Sequence, residues 1–98
     1  MLFRARRCGG FTEARKIAAM ASAAGLTVIP HAYGITHLHF AAAMPNVPMV
    51  EYFPLPCWAE PAPADWQPLF QDEPTPTNAQ VSLSAEPGLG VRINEQLL

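Results

Sequence analysis

The chain has 98 residues, half of them apolar and 14% charged, which leaves room for one small domain and excludes general disorder. A formal net charge of −2 excludes the broad basic face that a nucleic-acid partner requires. The charge is unevenly placed: Arg4, Arg6, Arg7, Arg15 and Lys16 lie near the start, whereas seven of the eight acids stand at Glu51 or beyond.

In chain order, the basic start does not read as a secretory leader. Cys8-Gly9-Gly10 and a charged segment come after it, where a leader needs an apolar stretch. No apolar run approaches the roughly 18 residues of a membrane span. Cys8 and Cys57 have no CxxC spacing, the habit of a reducing compartment. The expected location is the cytoplasm, with neither a membrane nor nucleic acid as partner.

A helix is predicted over residues 11–25. Thr12 is the expected N-cap, Glu13 puts negative charge in the first turn, and Gly25 suits a left-handed stop. Ile17, Met20, Ala21 and Ala24 recur at i, i+3, i+4 and i+7, which predicts one apolar stripe. Leu26-Thr27-Val28-Ile29, halted by Pro30, reads as a strand buried on both faces. Thr36 to Met44 is a second predicted helix, ended by Pro45, and Met49-Val50-Glu51-Tyr52 a second strand. Helix, strand, helix and strand joined by short loops make an α/β layer with parallel strands.

Beyond Phe53 the texture changes. Six prolines fall between Pro54 and Pro74, with Trp58 and Trp66 among them, and no period emerges. This reads as an irregular, extended segment anchored by its tryptophans. Val81 to Ala85 is a candidate edge strand, Pro87-Gly88-Leu89-Gly90 a turn, and Val91-Arg92-Ile93 a last short strand.

Two residues stand where chemistry is expected. His31 comes one proline after the first predicted strand, and Glu51 lies near the end of the second. In parallel α/β barrels the C-terminal strand ends converge on one face, and the chemistry sits there. A histidine and a carboxylate so placed divide proton-transfer work between them. His31, His37 and His39 do not read as a zinc set, since residues two apart on a helix face different ways and acidic or cysteine partners at ligand spacing are missing. One of His37 and His39 is expected to face a loop and the other to pack. Cys57 has no neighbour that would activate it as a nucleophile.

The run Cys8-Gly9-Gly10-Phe11-Thr12-Glu13-Ala14-Arg15-Lys16-Ile17-Ala18 resembles the GG-x-TE-x-x-K-I segment of the mandelate racemase-like branch of the enolase superfamily. The resemblance continues through Val28-Ile29-Pro30-His31, Ala41-Ala42-Ala43-Met44-Pro45-Asn46 and Glu51-Tyr52-Phe53. It closes on Pro87-Gly88-Leu89-Gly90-Val91. Within that branch the stretch around His31 and the tail are most similar to acid-sugar dehydratases of the galactonate or rhamnonate type.

The resemblance implies a partial (β/α)8 TIM barrel: its last two strands with their helices over residues 1–53, then a Pro-rich extension over 54–98 directed at a capping domain. The 98 residues are then one incomplete domain. It implies that His31 is the catalytic histidine of the seventh strand, and that Glu51 is the acid of the eighth, which bonds the substrate carboxylate. It implies a Mg²⁺ ion in the complete enzyme, which removes the proton next to a carboxylate of a sugar acid or hydroxy acid. The metal ligands of the third to fifth strands have no counterpart here, so the chain is expected to hold no magnesium ligands. It is expected to be inactive alone, either as a truncated gene product or as one half of a split enzyme with a complementary N-terminal chain as partner. Where the family has an aspartate that orients its histidine, counting back from Gly10 reaches Arg4, and Met1 to Arg6 shows no likeness to a sixth strand. The alternative expectation is a small non-catalytic interaction module. Between dehydratase and racemase the sequence leaves both open.

Overall fold

The computed structural model describes residues 2–3, 8–32, 34–53 and 70–97. Arg4, Cys57, Trp58, Trp66 and most of the Pro-rich stretch therefore lie outside the described residues. The chain divides into two compact units, Met1–Tyr52 and Phe53–Leu98.

The first unit begins with a short strand, β1 (Leu2–Phe3), then a helix, α1 (Gly10–Ala23), a strand, β2 (Ile29–Pro30), and a second helix, α2 (Ile35–Ala43). β1 and β2 pair in parallel, Leu2 opposite Ile29 and Phe3 opposite Pro30. This is a β-α-β crossover, with α1 carrying the chain from one strand to its parallel neighbour. A strand thus forms inside Met1–Arg6, where the sequence shows no likeness to the family's sixth strand. Two apolar residues between a terminus and an arginine cluster are too short a run to register as a period.

The predicted strand over Leu26–Ile29 is displaced, and the ladder falls on Ile29–Pro30. The preceding residues are otherwise employed. Gly25 takes φ 69°, its N–H bonds Ser22 O at 2.9 Å, and Leu26 N–H bonds Ala21 O at 2.8 Å. That pair of bonds is the Schellman stop of a helix, so Leu26 belongs to the end of α1. Val28 N–H goes to Asn46 O at 2.9 Å.

At the other end of α1 the expected Thr12 cap is not used. Gly9 is the N-cap with φ 108°, without a side-chain bond, and Gly10 comes next at φ 77°. Two glycines turn the chain where an L residue would be strained, so the helix starts ahead of Thr12. The buried stripe is also rotated from the predicted one. Ala14, Ala18 and Ala21 are buried, whereas Met20 is 74% exposed and Ile17 half-buried. Alanine scores weakly as a hydrophobe, yet it allows the helix backbone to approach its neighbours closely. Those neighbours are Val28, Phe40 and Val47, with Cys8, Ala41 and Met44 packed against the cluster.

α2 ends one residue ahead of the predicted Met44, which is extended at φ −118°, as the residue before a proline prefers. The predicted strand over Met49–Tyr52 is absent: residues 47–53 carry no ladder. The neighbouring segments are joined instead by the bond from Val28 N–H to Asn46 O, and Pro48 withdraws a backbone donor from the stretch leading to Tyr52. Asn46 reinforces the join, its Nδ2 donating to Ala18 O at 2.9 Å and Leu26 O at 3.2 Å.

In the second unit β3 (Phe70–Gln71) pairs antiparallel with β4 (Arg92–Ile93), Phe70 opposite Ile93. β4 lies within the strand predicted over Val91–Ile93. The expected edge strand over Val81–Ala85 does not form. Just before it, Thr77 and Gln80 exchange backbone bonds of 2.8 and 3.0 Å around Asn78 and Ala79, both at positive φ. That is the geometry of a two-residue hairpin turn. The predicted turn closes with Gly90 N–H on Pro87 O at 3.2 Å, and a short 3₁₀ turn covers Glu95–Leu97. No described helix is long and apolar enough to cross a membrane.

Candidate active site

The site is built on the link between β2 and α2. Pro30 ends the strand, His31 comes directly after it, and Ala32 takes φ 64°, a left-handed conformation that costs an L residue about 1 kcal/mol. A strained turn at that place persists only if its surroundings hold it. They do so from both sides. Ala32 N–H donates to Oε2 of Glu51 at 3.0 Å, and Ala32 O lies 2.5 Å from Nδ1 of His37.

The two residues singled out from the sequence meet here. His31 Nδ1 lies 2.9 Å from Oε2 of Glu51, the oxygen that accepts from Ala32. The approach is that of an ion pair, attractive when the ring is protonated. Side-chain exposures of 28% for His31 and 32% for Glu51 leave both groups within reach of a ligand. Glu51 reaches this position although its segment is not a strand. Its partner is a loop N–H, so ladder pairing is not needed to bring it there.

His37, expected to pack or to face a loop with the substrate pocket within its reach, is 2% exposed. It sits in the first turn of α2, where Gly34 O accepts from His37 N–H at 2.8 Å and Leu38 N–H at 3.1 Å. Helical side chains lean toward the N-terminus, which carries the His37 ring back to Ala32. A polar residue in the first turn of a helix just past a predicted catalytic loop was the available signal. His39, two residues on, is half-buried.

Among the described residues no group of three or more His, Cys, Asp or Glu is placed to hold a metal ion. Glu51 is the site's one described carboxylate, and its Oε2 is already engaged by Ala32 and His31. These residues do not fit a magnesium site.

The succession of a β-α-β crossover, a histidine after the second strand and an acid reaching it from the next segment agrees with a match to known proteins. The enolase C-terminal domain-like family model matches residues 2–97. The chain belongs to that family. As a member of the enolase C-terminal domain-like family it is 42% identical over 90 residues to a putative L-rhamnonate dehydratase of Caldivirga maquilingensis. It is 37% identical over 90 residues to an L-rhamnonate dehydratase of Saccharopolyspora erythraea. Each match covers 92% of this chain and 23% of the relative, so the chain spans about a quarter of the length of the curated relatives it matches. No solved structure matches it significantly. The family accounts for the α/β crossover and makes β2 and α2 part of an enolase-type C-terminal domain.

Proposed function

We propose that this chain supplies the C-terminal part of the active site of an acid-sugar dehydratase of the rhamnonate type. The carrying observation is the convergence of His31 Nδ1 and Ala32 N–H on one oxygen of Glu51, at 2.9 and 3.0 Å. His31 is the proton carrier. Glu51 faces the ring through Oε2, and its other oxygen is the one that the family resemblance assigns to the substrate carboxylate.

In the dehydration the α-proton leaves the carbon beside the carboxylate and the C–O bond to the β-hydroxyl breaks. The hydroxyl departs as water with a proton from His31, and the resulting enol becomes a 2-oxo acid. General acid help of this kind is worth roughly 10²–10⁴ in rate. The magnesium ion that the family resemblance implies would be held by residues beyond those described, and no step here runs through it. The rest of the barrel, including the base that removes the α-proton, has to come from other polypeptide sequence. On this reading residues 1–53 belong to the barrel, 54–98 form its extension, and the chain alone is inactive.

The test is complementation. The Saccharopolyspora erythraea relative, shortened by the portion that matches this chain, is co-expressed with it and supplied with L-rhamnonate and magnesium. The expected result is 2-oxo acid from the pair and none from either part. In the pair, His31→Asn and Glu51→Gln should each lower turnover by about two orders of magnitude or more. Turnover indifferent to both substitutions would overturn the assignment. Failure of the pair, together with cooperative melting of the 98-residue chain as a monomer, would favour the non-catalytic module.

A further inference from the structure

Beyond His31 and Glu51, we infer that His37 is a positioning residue of this site: from inside α2 it fixes the Ala32 turn that brings His31 and the Glu51 carboxylate together. The inference rests on the functional reading above for its importance, but on geometry for its content.

Ala32 has a peptide group on either side of its Cα, and both are held. The one before it donates its N–H to Glu51 at 3.0 Å. The one after it presents its carbonyl to His37 Nδ1 at 2.5 Å. Fixing both peptide planes fixes φ and ψ of the residue between them, which is how a left-handed alanine at φ 64° is kept in place. The first of those planes is also attached to the Cα of His31, so clamping it sets the direction from which the imidazole meets Oε2.

Chemistry decides which way the His37 bond runs. A carbonyl oxygen only accepts, so Nδ1 of His37 carries the proton and donates. A ring that is 2% exposed has little water to turn to instead. Leaving the Ala32 carbonyl without this donor would release one side of the clamp. Phe40 and Leu38, close by on α2, are buried apolar residues and supply no replacement. The helix therefore does more than cover the core: it delivers one donor to one loop carbonyl, five residues back.

The test uses the 98-residue chain and amide hydrogen exchange read by NMR. The Ala32 amide, bonded to Glu51, should be protected in the native chain, and Glu51→Ala should abolish that protection. His37→Phe should accelerate Ala32 exchange at least tenfold while the Val28 amide, bonded to Asn46 O, keeps its protection. His37→Asn, whose amide nitrogen can take the place of Nδ1, should restore most of the Ala32 protection. A long-range proton–nitrogen spectrum of the native chain should find a proton on Nδ1 of His37, the nitrogen that faces the Ala32 carbonyl. Ala32 exchange unchanged by His37→Phe would overturn the inference. If that variant loses Val28 protection too, the native spectrum decides, and a ring protonated at Nε2 alone overturns it. In the complemented enzyme, His37→Phe should lower kcat more than it raises KM, with recovery in His37→Asn. Turnover indifferent to His31→Asn alongside a His37-dependent Ala32 amide would sink the catalytic reading and leave the positioning role standing.

Discussion

The two units of this chain are held together by different means. Met1–Tyr52 buries a cluster of Ala14, Ala18, Ala21, Val28, Phe40 and Val47. In Phe53–Leu98 no described residue is buried, and the contacts that give it shape are a two-residue ladder, tight turns and an exposed Arg92–Asp72 pair at 2.7 Å. Burial of apolar surface stabilises in proportion to area, whereas an exposed ion pair contributes little. A side chain can be aimed only by something that does not move, so the site falls in the unit that has a core. Glu51, at the boundary, depends on that core through the loop N–H it accepts.

The sharpest way to break this contrast is to remove the largest buried apolar side chain among the described residues. Phe40→Ala should destabilise the first unit by about 3–5 kcal/mol, seen as loss of α1 and α2 helicity in a denaturant titration. Ile93→Ala, at a residue 53% exposed, should shift the same titration by less than about 0.5 kcal/mol. A comparable loss from both would mean that the second unit has a core of its own.

Overfilling the alanine stripe is the next effect in size. Ala18 is fully buried, and Ala18→Leu should cost about 1–3 kcal/mol, whereas Met20→Leu on the exposed face should cost next to nothing. Equal effects would restore the stripe predicted on Ile17, Met20, Ala21 and Ala24. Asn46→Ala removes donors to Ala18 O and Leu26 O and should cost about 1–2 kcal/mol, with the Val28 amide exchanging faster. An unchanged Val28 amide would count against the staple.

The smallest effect is one of pH. The hydrogen bond from Arg92 holds the Asp72 carboxyl below its ordinary value, against desolvation, which raises it. A carboxyl lowered in the folded state stabilises above its unfolded value, about 4 for aspartate, and loses that contribution as pH falls through the lowered one. Both side chains are more than half exposed, so solvent screening keeps the gain small. The β4 amide shifts should drift below about pH 4 in the native chain, and the drift should vanish in Asp72→Asn. Persistence of the drift in that variant would assign it to another carboxyl.

Legibility in the residues divides along the same lines. α1 was legible because a glycine stop and a run of good helix formers are local signals, and the Schellman bonds at Gly25 fulfil them. The phase of its buried face was not, because close packing selects small residues where periodicity rewards large ones. β1 was missed because a two-residue strand derives its identity from Ile29 and Pro30, which lie far along the chain. The opposite error, a strand over Met49–Tyr52, came from β-branched and aromatic content without a ladder partner. That His31 and Glu51 would lie near each other was legible from their places, one just after a predicted strand and the other near the end of one. His37 was not, since its contact depends on the bend at Ala32, and nothing about an alanine announces a left-handed turn.

The pairing of Leu2 with Ile29 also sets an order of events. α1 and its glycine stop draw only on neighbours in the chain, and such helices form within about a microsecond. The parallel ladder must wait until the ends of the whole crossover meet, and that loop closure carries its entropic cost before any contact is returned. During refolding the helix should therefore be present while His31 still lacks its carboxylate. The His31–Glu51 contact also joins segments far apart in the chain, so the feature on which the proposed chemistry depends forms after the helix.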